Sequence, residues 1–394
     1  MGDLLEVARL IDRGIQGRAF PAAAIEVGRG DRVLWNAAFG RLTYAAEAAS
    51  TTPDTLFDLA SLTKVIATTT LVMRAVEAGT LGLEERVADR LSDWRGTDRE
   101  HVTITDLLEH ASGLTAYLPF FRDHHGRADF ERAICTLPLE YAPRTQSIYS
   151  DLGFMLLAFI LEDVNRAPFA RQLDRIFRLK AEATGINRGA KTDEVGGADV
   201  RSSSDSRSFR LQAEDLLFNP SRELRARCAP TELDLWRGRL LQGEVHDENT
   251  WELGGAAGHA GLFGTGAAVG DFARCILNGL MSEVGGRGAE AGHFAVAKRE
   301  IIERFARRSA VPGSSRALGW DTMLPTSSCG TRLSPRAIGH TGFTGTSLWI
   351  DPAQDLYVVF LTNRVHPTRD NNQIQPLRRA VHDAVVASFP EGYR

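Results

Sequence analysis

Apolar positions alternate with polar ones near both ends of the chain and recur every three or four residues between them. AAAIEVGRGDRVLWNAAFG, residues 22–40, reads as two strands joined by a Gly-containing turn. TSLWIDPAQDLYVVFLTNR, residues 346–364, reads as a second hairpin that turns at Asp351 to Asp355. ITDLLEHASGL, LGFMLLAFILEDV and GDFARCILNGLM carry helical spacing, and IQPLRRAVHDAVVASF reads as an amphipathic terminal helix. The opening MGDLLEVARLIDRGIQG is amphipathic as well and reads as a first helix. Strands from both termini are therefore expected to pair into one antiparallel sheet, giving an α/β protein of the α+β type. Residues 1–78 and 312–394 would form a discontinuous sheet domain flanked by helices, with a mainly helical domain, residues 79–311, inserted. The natural site is a cleft between the two. TDEVGGADVRSSSDSRS, residues 192–208, is polar and Gly/Ser-rich and reads as a mobile loop.

One helical stretch departs from the simple pattern. DLASLTKVIATTTLVMRAVEAG, residues 58–79, has an apolar stripe of Leu62, Val65, Ile66, Val72, Met73 and Val76, with Ser61 and Lys64 at i and i+3 on the neighbouring face. Its threonines and valines are mediocre helix formers, so burial rather than propensity must hold it. A lysine there would be desolvated, which lowers an amine's pKa toward the range where it accepts a proton from a nucleophilic serine. Only four lysines, Lys64, Lys180, Lys191 and Lys298, occur among 46 Lys plus Arg. A chain that otherwise uses arginine for charge points to titratable chemistry where it spends a lysine. On this motif alone, a lysine snorkelling from a core helix to water stays open.

Composition narrows the classes. The 394 residues are 43% hydrophobic and 24% charged with a formal net charge of -4, an ordinary globular balance without the basic field of a nucleic-acid binder or a polybasic anchor. No apolar run is long enough to span a membrane. The N-terminus lacks the basic start and apolar run of a secretory signal, so the expected compartment is cytoplasmic as the chain is written, or periplasmic or secreted if a signal was removed. Cys135, Cys228, Cys275 and Cys329 are too dispersed for a CxxC site and are expected to be reduced.

DLASLTK, SIYSDLGFMLLAFILE with Tyr149, and GHTGFTGTSLWIDP with His340, Thr341 and Gly342 occur in that order. Together they resemble the motifs of the serine β-lactamase and penicillin-binding-protein family, in its class C-like branch of esterases, D-amino-acid peptidases and muropeptide hydrolases. ITDLLEHASGL, GLFGT and ALGW extend the likeness over most of the chain. The resemblance implies a β-lactamase/transpeptidase-like fold and an acyl-enzyme hydrolase of esters or amides without a cofactor. It implies Ser61 as nucleophile, Lys64 and Tyr149 as its proton managers, Tyr149 being the general base, and the amides of Ser61 and Phe343 as an oxyanion hole. The substrate would be a small molecule or a peptidoglycan fragment. The other class is a non-catalytic peptidoglycan or penicillin binder that has kept the fold.

Two positions depart from the family pattern. Asp151 stands where an asparagine is common, and His340 replaces the lysine of the strand motif, so a permanent cation for a substrate carboxylate is missing there and β-lactam turnover is expected to be weak or nil. Arg364 is the nearest rival for that charge. Asp151, His340, Thr341, Gly342 and His259 are the expected substrate-binding residues. His246, Asp247, Glu248 and His259 in GEVHDENTWELGGAAGHAGLFGTG lack the HExxH spacing of a helical zinc site, so no metal is expected. His246 and Asp247 read as loop-fixing hydrogen-bond partners, and His110 and Ser112 as scaffold.

Overall fold

A computed structural model describes residues 4–174, 176, 215–281 and 296–389. The stretch read as a loop at 192–208 lies outside them. Eleven strands occur among the described residues: β1 (Ala22–Arg29), β2 (Arg32–Gly40), β3 (Phe57–Asp58), β4 (Leu216–Phe218), β5 (Leu233–Asp234), β6 (Arg239–Leu240), β7 (Leu262–Gly264), β8 (Asp321–Thr322), β9 (Ile338–Thr341), β10 (Ser347–Asp351) and β11 (Leu356–Thr362). Six of them form one sheet in the order β2-β1-β11-β10-β9-β8, with antiparallel pairing throughout. The N- and C-terminal hairpins therefore meet, with Ile25 opposite Phe360.

Both faces of this sheet are covered, which explains its nearly continuous apolar strands. Ala23, Ile25, Val27, Val358 and Phe360 pack with Val7, Ile11, Val381 and Val385 of α1 (Leu4–Gln16) and the terminal helix Ile374–Ser388. The alternate positions Ala22, Ala24, Val359 and Leu361 join the larger core on the opposite face, where the helix Gly266–Met281 lies across β1, β10 and β11. That core also takes in the buried 58–79 stripe and the helix Asp151–Asn165.

Of the stretch 58–79 read as one helix, residues 62–77 are helical, with one irregularity, while Asp58 belongs to β3 and Ser61 sits in the turn before the helix. Lys64–Thr69 form a π-helical turn that leads into the α-helix Thr70–Glu77. Every residue of the π turn is buried, including Thr68 and Thr69. Such turns recur at functional sites because the widened turn redirects side chains. The short strand β3 pairs with β7 and fixes the entry to this turn. All four cysteines are free thiols.

Candidate active site

The turn carrying Ser61 is clamped from several directions. Ala60 has φ of +46°, an uncommon conformation for a residue with a Cβ, held by its N–H donating to Asp58 Oδ1 at 2.9 Å. Asp58 Oδ2 accepts from the His246 N–H at 2.7 Å. From the sheet side, Thr344 Oγ1 donates to Asp58 O at 2.6 Å and Thr346 Oγ1 to Leu59 O at 3.0 Å. Gly342 permits this approach: a Cβ there would lie 2.5 Å from Leu59 O and 2.1 Å from Thr346 Oγ1. The β9–β10 turn is thereby pinned against the Ser61 turn. The N–H groups of Ser61 and Phe343 donate to no backbone carbonyl among the described residues.

Three side chains converge on Ser61. Lys64 Nζ donates to Ser61 Oγ at 3.0 Å, to Asp151 Oδ1 at 2.6 Å and to the His259 carbonyl at 3.2 Å. The Tyr149 hydroxyl donates to the same Oγ at 2.7 Å, and its ring faces Lys64 Nζ at 4.8 Å. Lys64 is fully buried and all three of its protons find acceptors. Burial would lower its pKa, as the sequence suggested, but Asp151 and Tyr149 outweigh it and the pKa is raised. The expectation of a depressed lysine is therefore corrected: Lys64 rests as an ammonium because a carboxylate from 87 residues away sits against it. Burial pushes Tyr149 up and Asp151 adds to this, while Lys64 pulls it down; the net shift is upward, so the resting group is a phenol.

Asp151 thus binds Lys64 in this resting structure, and starts the helix whose N-cap is Ser150. His110 Nδ1 accepts from the Ser150 N–H at 3.0 Å, and its ring lies 4.8 Å from that of Tyr149, so this scaffold residue also props the tyrosine. His340 is buried in β9. Its Nδ1 lies 2.8 Å from the Thr341 carbonyl, which fixes the proton on Nδ1. Burial, with Arg316 and Lys64 nearby, holds its pKa well below the usual histidine range, so the ring is neutral. Arg364 is committed elsewhere, donating to the carbonyls of Phe343, Arg369 and Asn371.

His259 and His246 are held by different carboxylates. His259 Nε2 lies 2.8 Å from Asp247 Oδ1 and 3.1 Å from Thr250 Oγ1. Asp247 also caps the helix Glu248–Glu252 through the Thr250 N–H at 2.7 Å. His246 Nε2 lies 2.9 Å from Glu232 Oε2 and its ring packs on Phe343. Arg369 completes that cluster, donating to Glu232 at 2.6 Å and Glu248 at 2.7 Å. Among the described residues no group of three or more His, Cys, Asp or Glu is placed to hold a metal ion.

One cleft of about 560 Å³ is lined by the expected residues Ser61, Tyr149, Asp151, His259, His340, Thr341, Gly342 and Phe343, with Lys64 buried behind Ser61. Sequence reasoning missed Arg316 and Arg378, which line it too. The Arg316 guanidinium stands 5.1 Å from the Tyr149 ring centre. Its only sequence signal was its place directly before the ALGW motif. Arg378 sits one turn inside the terminal helix, where the sequence showed only an amphipathic pattern.

The sequence matches the family described as Beta-lactamase over residues 7–383. A relative in Escherichia coli (strain K12), named "Putative D-alanyl-D-alanine carboxypeptidase", is 29% identical over 349 residues, covering 82% of this chain and 73% of the relative. Among solved structures, a penicillin-binding protein homologue from Caulobacter crescentus superposes with a TM-score of 0.68 at 16% identity, covering 97% and 96% of the two chains. EstCE1, a hydrolase with promiscuous acyltransferase activity, superposes with a TM-score of 0.67 at 18% identity over 96% and 97%. No helix among the described residues is long and apolar enough to cross a membrane.

Proposed function

The chain belongs to the beta-lactamase family and is a serine hydrolase of that fold, and from this premise we propose that Ser61 forms an acyl-enzyme with an ester or a D-alanyl-type amide, which water then hydrolyses. The carrying observation is the shared hold on Ser61 Oγ by Lys64 Nζ at 3.0 Å and Tyr149 Oη at 2.7 Å, at the mouth of a cleft.

In this reading Lys64 is a fixed ammonium rather than a base. Tyr149, as the minor phenolate, takes the Ser61 proton while Oγ bonds to the substrate carbonyl carbon. The ammonium beside its ring stabilises that phenolate. The oxyanion points at the N–H groups of Ser61 and Phe343, worth about 3 kcal/mol per donor. The protonated tyrosine then delivers its proton to the leaving alcohol or amine as the carbon–heteroatom bond breaks. A water entering the vacated side repeats the sequence: it loses a proton to Tyr149, attacks the acyl carbon, and Ser61 Oγ leaves with that proton.

The curated relatives' name supports a D-alanyl peptide as acyl donor. A carboxylesterase is the second reading, favoured by the neutral His340 on β9, which offers no charge to a carboxylate beside the strand and keeps β-lactam turnover weak. The test is intact-protein mass spectrometry after incubation with a fluorophosphonate and with a penicillin, followed by peptide mapping. A single adduct on Ser61, absent from Ser61→Ala, is the expected result. A protein that takes no adduct from either reagent overturns the reading and leaves a non-catalytic binder.

A further inference from the structure

Exposed apolar side chains collect on one strip beside the cleft. The β5–β6 hairpin carries Leu233, Leu235, Trp236 and Leu240, and the helix Glu248–Glu252 carries Trp251, all of them exposed. Leu233 stands opposite Leu240 in the hairpin, and the Trp236 and Trp251 rings meet edge to face, 5.5 Å apart at 87°. The pair is stiffened from behind. Trp236 packs on Phe121 at 4.7 Å, and the Arg237 guanidinium lies 5.7 Å and 5.9 Å from the two ring centres, held by Asp234 and by the carbonyls of Val245 and His246. Single exposed apolar residues are ordinary, but a contiguous, rigid strip of them marks a contact surface.

The strip leads out of the cleft. Asp247 and Glu248 line the cleft at the start of the helix, and Trp251 follows Glu248 by one turn. Tyr117, which lines the cleft and is 41% exposed, belongs to a loop tied to the same helix: the Phe121 N–H donates to Asn249 Oδ1 and Asn249 Nδ2 to the Leu118 carbonyl, both at 2.9 Å. Three charge pairs border the strip, Arg239 with Glu244 at 2.6 Å, His125 with Glu252 at 2.9 Å and Arg237 with Asp234 at 2.8 Å, so these charges are answered within the fold. A group that is joined to a donor at Ser61 and follows this path is therefore extended, uncharged and apolar.

We propose that the Trp236–Trp251 strip seats an apolar chain on the acyl side of the donor, remote from the scissile bond, so that this hydrolase acts on lipophilic acyl compounds. The inference rests on the hydrolase reading above and deepens it. The corner between the two rings takes the flank of an alkyl chain, and the hairpin leucines continue the apolar surface beyond it. Each methylene laid there leaves water, which rewards longer chains over short ones.

The experiment measures kcat/KM for p-nitrophenyl acetate, butyrate and octanoate, each below its aggregation limit, in wild type, Trp236→Ala, Trp251→Ala, Leu235→Ser and Leu5→Ser. The wild type should prefer the octanoate to the acetate. That ratio should fall about 10-fold in each tryptophan variant, as the loss of contact worth about two buried methylenes predicts, with the change mainly in KM. Leu235→Ser should lower it less, and since Leu235 is 93% exposed this variant removes apolar surface without disturbing packing. Leu5→Ser, on α1 and equally open to solvent, should leave it unmoved. A wild-type rate that falls beyond the butyrate, a ratio unmoved in both tryptophan variants, or a dimer that Leu235→Ser converts to monomer at an unchanged ratio overturns the assignment while leaving the hydrolase reading intact. Hydrolysis of none of the esters, with no fluorophosphonate adduct on Ser61, overturns both.

Discussion

Two of the buried ion pairs among the described residues make a comparison, because only one of them borders the cleft. Arg274 and Glu26 join the helix Gly266–Met281 to β1 at 2.9 Å, with side chains 5% and 1% exposed. Glu26 also accepts from the Tyr357 hydroxyl at 2.9 Å and Asn36 Nδ2 at 2.6 Å, and Arg274 also pairs with Asp271. Lys64 and Asp151 are closer still, at 2.6 Å, but Asp151 is 17% exposed and the third proton of Lys64 rests on a serine that opens to the cavity. Burial of charge is common to both. What separates them is that one network includes a serine lining the cleft, the proposed nucleophile. The Glu26 network lies away from the cleft lining and specifies how the helix sits on the sheet.

The sharpest break between the two comes from Ser61→Ala. It should lower kcat/KM for an activated ester by about 10⁴-fold or more, with the thermal midpoint nearly unchanged, since a partly exposed hydroxyl is lost. Residual turnover close to wild type would move the nucleophile elsewhere. Arg274→Met is the mirror experiment. It leaves Glu26 buried without its cation and should destabilise by about 3–5 kcal/mol in urea titration, while the folded fraction keeps its kcat/KM. A loss of specific activity at constant stability would mean that the sheet-side pair reaches the site after all.

These two pairs were also unequally legible in the sequence. Ser61 and Lys64 are three residues apart where a turn runs into the helix, so local spacing alone places them together, and Tyr149 enters through its motif. Glu26 and Arg274 lie 248 residues apart in elements whose own patterns say only strand and helix. The hairpins were readable because alternation and turn residues coincide, and the two termini had no other partner for their strands. Where the reading went wrong, at the protonation of Lys64, the cause is the same as for Glu26: the sign of the shift is set by Asp151, a contact that no window of sequence contains. Arg316 was invisible for the same reason, since only the fold carries it to the Tyr149 ring.

Asp151→Asn sharpens the comparison by removing one charge from the catalytic pair alone. Lys64 keeps two acceptors and Asp151 is partly solvated, so the stability loss should be smaller than for Arg274→Met, about 2 kcal/mol. The more telling readout is the pH profile of kcat/KM. In the proposed mechanism Tyr149 must lose its proton, so the rate should rise with pH toward a pKa that burial and Asp151 raise. Without the carboxylate that rise should move to lower pH. An unshifted profile would remove Tyr149 from the role of base.

Glu232 offers the finest test, because its cluster stands between the two extremes: largely buried like Glu26, yet bonded to His246 and Arg369, which line the cleft. Burial pushes its carboxyl up, but the hydrogen bonds from His246 and Arg369 prevail and hold it at about 2. A carboxylate depressed in the folded state contributes stability that is complete above its ordinary pKa of 4.5 and is lost as the pH falls toward 2. Discounted for the exposure of Arg369, that contribution is about 2 kcal/mol. Glu232→Gln should therefore be less stable than wild type by about this amount at pH 7. The two stability curves should converge between pH 5 and pH 2, because only the wild type loses the interaction there. The midpoint of urea unfolding against pH measures this directly. A constant gap across that window would mean that Glu232 acts through packing rather than charge, and would set its cluster beside the sheet-side network rather than the site around Ser61.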